Sequence, residues 1–305
     1  MKAGVIGIGS NSVRMLVAEY REGTFRRLFR DREGTRLFAG LDSEGRLSSE
    51  SMAKTADAVG RMAEAARAAG ADRIEVFATS ASRDASNGWR LAELIKEKAG
   101  AELKIISGEE EAILSYLGAS SALDGDTSRG VIDIGGGSTE LIAGGKEGIE
   151  AAFSCQMGAV RLHGMFELNS REDMAIVEKA AASVLKEKME QVPPFGLPEE
   201  WAGTGGTFTT LAAMVKKIPW TDRTQMHGTV LTLEEVQATG ETLADMTVEE
   251  RRKLPGLQPG RADIVVHGIC ILLAVMKSLG IKKITVSEWG NLDGYFSRYI
   301  TKGTV

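Results

Sequence analysis

Cysteine, proline and histidine are scarce in this sequence of 305 residues, which contains two, six and three of them. Cys155 and Cys270 lie far apart in the chain, so the sequence has neither a disulfide framework nor the close cysteine spacing of a zinc site. We interpret both as buried thiols. The histidines, His163, His227 and His267, show no metal-ligand spacing, so we interpret them as structural and expect no mechanism centred on histidine.

Long hydrophobic runs are also missing. The longest apolar stretch, Ile264 to Met276, is interrupted by His267 and Gly268 and is shorter than the roughly 20 residues that cross a bilayer. The N-terminus has no hydrophobic segment followed by a small-residue cleavage site. We therefore expect a cytoplasmic protein with no membrane partner.

The sequence has no excess of positive charge, since 37 basic and 42 acidic residues give a net charge of -5. A nucleic-acid partner is not expected, because binding to many phosphates needs a basic face, although a local basic pocket remains allowed. Five arginines could line a track for a polyanion, but arginines on an antiparallel strand more often form a solvated face. They are Arg26, Arg27, Arg30, Arg32 and Arg36.

Glycine is abundant: it makes up 36 of the 305 residues, about 12%, against about 7% in average proteins. This abundance predicts many turns and close backbone approaches. Strand and helix patterns alternate through the first half, which indicates parallel crossovers and an α/β fold. The length favours two domains. We predict domains at residues 1–125 and 126–305, divided in the polar run Asp124 to Arg129, with a C-terminal helix at about 291–305 that could pack on the first domain.

Both predicted domains open with the same pattern. The segment GIGSNSVRMLV from Gly7 aligns with DIGGGSTELIA from Asp133, and each predicts a strand, a turn of small residues and a second strand. The same alignment places ATSAS beside GTGGT, which runs from Gly203 to Thr207. This repeat predicts an internal duplication, and we expect the two domains to face each other across a cleft.

The turns of the repeat are candidate phosphate-binding loops, because glycine and serine leave backbone N–H groups uncovered. Glycine-rich hairpin turns without a ligand are the structural alternative. Asp133 ends the strand before the second loop, where its carboxylate can hold Mg²⁺ beside a bound phosphate. The first loop consists of Gly9, Ser10, Asn11 and Ser12, and the second of Gly135, Gly136, Gly137, Ser138 and Thr139.

A third glycine cluster includes Gly205, Gly206 and Thr207 and precedes a predicted helix at 208–215. The amides at the start of a helix favour an anion, although these small residues could equally serve helix packing. No segment has the Walker A spacing or the dinucleotide-binding glycine pattern, so a nucleotide fold of either type is not indicated.

Two charged residues are candidates for chemistry. Glu109, Glu110 and Glu111 begin a predicted helix, where carboxylates also suit the helix dipole without any catalytic role. Glu111 is the candidate because the neighbouring apolar residues fix which side of the helix is buried. Arg83 follows the TSAS turn and could clamp a phosphate, although a single arginine is more often a surface charge.

Several segments together resemble the exopolyphosphatase and guanosine pentaphosphate phosphohydrolase family over nearly the whole chain. The resemblance implies duplicated ribonuclease-H-like domains of the actin, Hsp70 and sugar-kinase superfold, in the family's short two-domain form, and suggests a homodimer. The segments are GSNSVRMLVAEY, ATSASRDASNG, IISGEEEAILSYLGA, VIDIGGGSTELI, GTGGT and LPGLQPGRADIVVHGICILLAVM.

The same resemblance implies an enzyme that releases terminal phosphate from inorganic polyphosphate, guanosine pentaphosphate or both, with Mg²⁺ as its cofactor. The family's catalytic glutamate corresponds to Glu111, its metal-linked aspartate to Asp133 and its phosphate-clamping arginine to Arg83. Glu111 and Asp133 are therefore the candidate metal ligands. The two glycine-serine loops correspond to the family's phosphate loops.

The sequence departs from the family pattern in two places. Gly7 stands where the first loop normally begins with aspartate, and Asn291, Leu292 and Asp293 replace part of a leucine-arginine-acid-glycine run. Because one or two carboxylates commonly hold Mg²⁺ beside phosphates, we expect hydrolysis to persist with weaker metal affinity. The alternatives are a sensor that binds polyphosphate or an alarmone with little or no turnover, and a small-molecule kinase with a nucleotide pocket near Gly203 to Thr207.

Overall fold

The computed structural model describes residues 1–22, 24–123, 128–145 and 147–301. The chain divides into two compact units, Met1–Leu114 with the segment that begins at Asn291, and Ser115–Gly290. The boundary predicted from the polar run falls on residues 124–127, which lie outside the described residues. Among the helices of the described part, none is long and apolar enough to cross a membrane.

The first unit is built on a mixed sheet with the strand order β3-β2-β1-β4-β5. The first three strands form an antiparallel meander, and the last two run parallel to β1. The strands are β1 Lys2–Ile8, β2 Val13–Arg21, β3 Thr24–Glu33, β4 Arg73–Ala78 and β5 Leu103–Ile105, and the helices are α1 Ser49–Ala68, α2 Ser80–Asp84 and α3 Gly88–Ala99. Helix α4, Gly108–Ala119, begins in the first unit, and its residues from Ser115 onward belong to the second.

Helix α1 covers one face of this sheet. Its N-terminus is capped by Ser48, whose hydroxyl accepts a hydrogen bond from the amide of Ser51 at 3.2 Å. Met52 and Val59 lie on its buried side and belong to the same apolar cluster as Ile6 and Met15 of the sheet. The alternation along β1 and β2 therefore sends one set of side chains to α1 and the other to the opposite face.

The second unit has a six-stranded sheet with the order β10-β11-β9-β6-β7-β8. Its core centres on an apolar helix, α10, which ends at Gly280 in the left-handed conformation. The strands are β6 Arg129–Ile134, β7 Thr139–Gly145, β8 Gly148–Cys155, β9 Glu200–Gly205, β10 Val230–Thr232 and β11 Lys283–Val286. The helices are α5 Ala159–Met165, α6 Arg171–Met189, α7 Gly206–Lys216, α8 Leu233–Ala244, α9 Val248–Arg251 and α10 Val265–Leu279.

The two sheets have the same topology apart from β10 at one edge of the second. In the first, Ile8 pairs with Val13 and lies parallel to Ala78. In the second, Ile134 pairs with Thr139 and lies parallel to Gly205. The first hairpins of both units therefore match residue for residue in the alignment predicted from Gly7 and Asp133.

The C-terminal segment packs on the sheet face of the first unit that α1 leaves uncovered. It contains α11 Asn291–Tyr295 and a π-helical turn, Phe296–Ile300. The Tyr295 ring stacks on Phe77 with centroids 4.8 Å apart. Gly294 lets the segment approach the backbone of Leu114, since a Cβ atom at position 294 would lie 1.9 Å from the Leu114 carbonyl oxygen.

The structure corrects the sequence interpretation at one functional position. The TSAS segment is not a turn, because Ser80–Asp84 forms helix α2 and carries Arg83. The helix begins where the Thr79 carbonyl accepts the amides of Ser82 and Arg83 at 3.1 and 3.0 Å. The sequence offered no apolar periodicity for a helix this short.

The interpretation of both cysteines as buried thiols is confirmed, and His267 has a structural position in the core. Cys155 and Cys270 are buried, and burial raises the pKa of each thiol to about 12, so neither is a thiolate at neutral pH. His267 lies in the core with its Nε2 atom 3.0 Å from the Phe166 carbonyl oxygen. Its ring meets His163 edge to face at a centroid distance of 5.0 Å.

We expect Gly294→Ala to lower the free energy of unfolding by about 1–3 kcal/mol, because the added methyl group overlaps a backbone oxygen that cannot move aside cheaply. Urea denaturation measures the loss. The matched control is Gly164→Ala in α5, where a Cβ atom meets nothing within 4 Å and alanine favours the helix. Equal stabilities of the two variants would contradict the packing described for α11.

We expect stability to fall between pH 6.5 and pH 4 through His267. Burial lowers the pKa of this imidazole from its ordinary value of 6.5 to about 4. Below pH 6.5 the imidazole is protonated in the unfolded chain but stays neutral in the folded chain until the pH approaches 4. This difference lowers the free energy of unfolding by about 2 kcal/mol at pH 5. Urea denaturation at pH 7 and pH 5 should show a smaller drop for His267→Gln than for the wild type, and equal drops in the two proteins would contradict this role of the buried imidazole.

Candidate functional site

The first candidate loop, Gly9 to Ser12, joins β1 to β2 as a closed hairpin. The Gly9 amide donates to the Ser12 carbonyl oxygen at 3.0 Å, and the Ser10 carbonyl accepts the Phe38 amide at 2.9 Å. Ser10, Asn11 and Ser12 are buried within the unit. The Ser12 hydroxyl oxygen also accepts a hydrogen bond from Arg32 Nε at 3.2 Å, so a guanidinium lies against this loop.

The second candidate loop, Gly135 to Ser138, closes in the same way. The Gly135 amide donates to the Ser138 carbonyl oxygen at 3.0 Å. The carbonyl groups of Gly135 and Gly136 accept amides from the start of α5, and Gly137 accepts Arg161 Nε at 2.6 Å. These contacts fix the shape of the loop on a second element of the same unit.

Thr139 has a structural role at the end of this loop. Its side chain is fully buried, and its hydroxyl donates to the Met157 carbonyl oxygen at 2.6 Å. Met157 precedes Gly158, where a Cβ atom would lie only 2.4 Å from the Gly136 carbonyl oxygen. The close approach of these two backbone segments therefore depends on glycine at position 158.

Asp133 is the second-last residue of β6 and is buried, with an exposed fraction of 6%. Its Oδ2 atom accepts a hydrogen bond from the Ser115 hydroxyl at 2.6 Å. Its register neighbours are Glu140 on β7 and Thr204 on β9, and such directly opposed residues share one face of a sheet. Asp133 therefore lies in a row of polar side chains at the end of the strands.

Glu140 is the main residue of this row that the sequence interpretation missed. It is 1% exposed, and its Oε1 atom accepts the Ser154 hydroxyl at 2.7 Å. The hairpin symmetry could have identified it, because a four-residue loop closed between Gly135 and Ser138 places Asp133 opposite Glu140. The second unit thus brings two buried carboxylates to one face beside its glycine loop.

This pair suits a hard cation better than a transition metal. Within residues 1–22, 24–123, 128–145 and 147–301, no three or more histidine, cysteine, aspartate or glutamate side chains form a metal-binding group. Mg²⁺ needs no such group, because it commonly takes one or two carboxylates and completes its octahedron with water and phosphate oxygens. Asp133 and Glu140 supply the oxygen donors for that arrangement.

The third glycine cluster lies beside this row. Gly205 adopts a φ of 97° where β9 turns into α7, and a Cβ atom there would lie 2.6 Å from the Ile134 carbonyl oxygen. A Cβ at Gly206 would overlap the Arg261 guanidinium, which therefore lies against the start of α7. Thr207 is buried against Gly268 of α10, so its side chain serves helix packing.

Arg261 is a second residue that the sequence interpretation did not single out, although it stands in the PGRAD segment of the resemblance. It lies at a helix start, where the backbone amides already favour negative charge. A guanidinium in that position adds to the attraction for an anion. The second unit therefore combines the carboxylates of Asp133 and Glu140 with the guanidinium of Arg261, which lies beside Gly206.

In the first unit the structure brings the two predicted catalytic residues together. Arg83 Nη1 donates to the Glu111 carboxylate at 3.3 Å and to the Ile106 carbonyl oxygen at 3.0 Å. Glu111 is 6% exposed, whereas Glu109 on the same helix is exposed. Arg83 is thus not a surface charge, and its fork fixes the orientation of the Glu111 carboxylate.

The five arginines predicted as a track or a solvated face behave differently from one another. Arg26 is exposed and pairs with Glu19 on the surface. Arg27 and Arg30 are largely buried and both contact the Asp293 carboxylate, at 2.7 and 3.1 Å. The solvated-face alternative is therefore wrong for Arg27 and Arg30, which hold the C-terminal segment on β3.

Similarity to known proteins covers the whole of this architecture. Residues 16–302 match the model of the Ppx/GppA phosphatase family. The chain is 32% identical to Exopolyphosphatase 2 of Mycobacterium tuberculosis, with 96% of this chain and 97% of that protein aligned. It is 28% identical to Exopolyphosphatase 1 of Mycobacterium leprae over 98% of this chain and 89% of that protein.

Solved structures agree with these relatives. A crystal structure of an exopolyphosphatase-like protein superposes with a TM-score of 0.90 at 28% identity, covering 99% of both chains. An exopolyphosphatase from Cytophaga hutchinsonii gives a TM-score of 0.88 at 26% identity, covering 99% of this chain and 98% of that chain. These structures confirm the predicted class of two α/β domains with the actin-like fold. With its matching hairpins, its buried carboxylates and these similarities, the chain belongs to the Ppx/GppA phosphatase family.

Proposed function

We propose that this phosphoanhydride hydrolase releases the terminal phosphate of inorganic polyphosphate, and that it also accepts guanosine pentaphosphate. The observation that carries the proposal is the pair of matched hairpin loops, each closed by a glycine-to-serine backbone hydrogen bond at 3.0 Å. Relatives that align over nearly the full chain bear the name exopolyphosphatase, which supports polyphosphate as the first substrate to test.

Glu111 is the proposed general base. Its carboxylate accepts a proton from the attacking water, and the pairing with Arg83 keeps the oxygen atoms pointing in one direction. The water attacks the terminal phosphorus in line, the bridging P–O bond breaks, and the shortened chain leaves with the electron pair. Arg83 is close enough to Glu111 to offer its other N–H groups to the phosphoryl oxygens.

Asp133 is the proposed anchor of a metal ion, with Glu140 beside it on the same face. When bound there, Mg²⁺ neutralises charge that develops on the phosphoryl oxygens. The loop residues Gly9 to Ser12 and Gly135 to Ser138 bind phosphate oxygens through backbone amides and hydroxyl groups. Arg261, at the start of α7, adds positive charge for the rest of the anionic substrate.

We also propose a cytoplasmic location and a homodimer. The dimer rests on the family resemblance alone, and sedimentation equilibrium of the purified protein tests it directly. The small-molecule kinase alternative has less support, because Gly206 and Thr207, at the predicted nucleotide position, already contact Arg261 and Gly268.

A sensor that binds without turnover remains the second candidate function, because Gly7 removes an acidic group from the first loop. Calorimetric titration beside a phosphate-release assay distinguishes the two functions. Binding of polyphosphate with no phosphate release at any Mg²⁺ concentration would support the sensor. A panel of polyphosphates of several lengths, with guanosine pentaphosphate, measures the substrate preference.

We expect Glu111→Gln to lower the rate of phosphate release from polyphosphate by about 10²- to 10⁴-fold, because the amide cannot accept the proton of the attacking water. A colorimetric assay of inorganic phosphate measures the rate. Glu109→Gln is the matched control, since Glu109 starts the same helix with its side chain exposed. Undiminished release by Glu111→Gln would remove Glu111 from the mechanism.

We expect Asp133→Asn to raise the Mg²⁺ concentration needed for half-maximal phosphate release by at least about tenfold, because the neutral amide is a poor ligand for a hard cation. A chelator should abolish release by the wild type. Asp245→Asn is the control, because Asp245 is an exposed residue of the same unit that pairs with Arg171. An unchanged Mg²⁺ dependence in Asp133→Asn would place the metal elsewhere.

A further inference from the structure

The two matched hairpins carry opposite charges at equivalent positions. In the second unit, Asp133 is flanked in register by Glu140 and Thr204. In the first unit, Gly7 is flanked in register by Arg14 and Phe77. Directly opposed side chains share a sheet face, so one loop stands beside two acids and the other beside a base and an aromatic ring.

The space at Gly7 is tight for a side chain. A Cβ atom at position 7 would lie 3.0 Å from both Leu292 Cδ2 and Phe77 Cζ. Phe77 is fully buried and stacked on Tyr295, so its ring cannot turn aside. A side chain at position 7 therefore needs the Leu292 side chain to give way by a few tenths of an ångström.

Leu292 is fixed by the residues on either side of it. The side-chain oxygen of Asn291 accepts a hydrogen bond from Arg14 Nη2 at 3.2 Å. The Asp293 carboxylate contacts Arg27 and Arg30. Gly294 then lies directly on the Leu114 carbonyl group. The leucine is consequently held over Gly7 by polar contacts before and after it in the chain.

The two departures from the family pattern therefore meet in space, because the missing aspartate and the altered C-terminal run face each other as Gly7 and Leu292. A carboxylate placed there would lie against a buried ring and a leucine methyl group, and its register neighbour on β2 would be the cationic Arg14. Around Gly7, the described register neighbours in the first sheet are Arg14 and Phe77 and include no carboxylate, whereas the second hairpin pairs Asp133 with Glu140 as oxygen donors for a hard cation.

We propose that Leu292 and Phe77 close the first loop of this chain to metal, so that the enzyme holds a single divalent cation from the second loop and uses the first loop only for anions. The inference rests on the proposed function for the identity of the substrate. The contact between Gly7 and Leu292 stands independently of that function.

The first measurement is the metal stoichiometry of the purified full chain. Titration with Mn²⁺ alone, followed by electron paramagnetic resonance of the free ion, should show one saturable site in the wild type. Asp133→Asn should weaken that site by at least about tenfold. Gly7→Asp should leave both the number of sites and the affinity unchanged. No saturable Mn²⁺ binding in the wild type, or a second or tighter site in Gly7→Asp, would overturn the proposal.

The second measurement is thermal stability in a double-mutant cycle without metal. Gly7→Asp should lower the Tm by about 4–8 °C, and the decrease should be clearly smaller when Leu292→Ala is also present, since the two positions touch. Gly7→Ala, which adds only the Cβ atom, replaces Gly7→Asp in the cycle if the latter does not fold. Equal decreases in both backgrounds would show that Leu292 does not close the position.

Neither measurement depends on turnover, so failure of the inference is distinguishable from failure of the proposed function. A wild type that binds one Mn²⁺ and shows the coupling but releases no phosphate from any tested anhydride would retain the inference and reject the hydrolase. Phosphate release by the wild type, together with a second metal site in Gly7→Asp, would support the hydrolase and reject the inference.

Discussion

The candidate loops of the two units each depend on the same backbone interaction. In each unit a glycine amide donates to the carbonyl oxygen of the serine three residues later, closing a four-residue loop between two antiparallel strands. This closure fixes the register of the strands, and the register decides which side chains stand opposite one another. Asp133 meets Glu140 in one unit, and Gly7 meets Arg14 in the other, because of it.

The two units share the same strand order and hairpin register, but their side chains differ in charge at equivalent positions. The second unit keeps buried carboxylates, and Asp133 and Glu140 each accept a hydrogen bond from a serine hydroxyl, of Ser115 and Ser154 respectively. The first unit places a leucine and a phenylalanine around the equivalent position. Buried carboxylates are tolerated only with hydrogen-bond partners or a cation. The second unit meets this requirement at Asp133, whereas the first unit has glycine at the equivalent position 7 and no carboxylate to stabilise there.

Glycines set much of this geometry through close approach. Gly158 lets the chain before α5 touch the second loop, Gly206 makes room for the Arg261 guanidinium, and Gly294 lets the C-terminal segment lie on the Leu114 carbonyl group. These contacts explain why a chain with so many glycines is well packed. At Gly158 and Gly294 a methyl group would strike backbone, and at Gly206 it would displace the guanidinium.

The sequence by itself determined the α/β class and the internal repeat, and it singled out Asp133, Glu111 and the two loops as candidates, because these depend on local spacing and on residue types. It also marked Gly7 and Leu292 as unusual. Only the tertiary structure decided that these two residues touch, that Glu140 stands beside Asp133, and that Arg83 pairs with Glu111. Strand pairing and helix packing join residues far apart in the chain, and no local pattern records which distant side chain fills a given space.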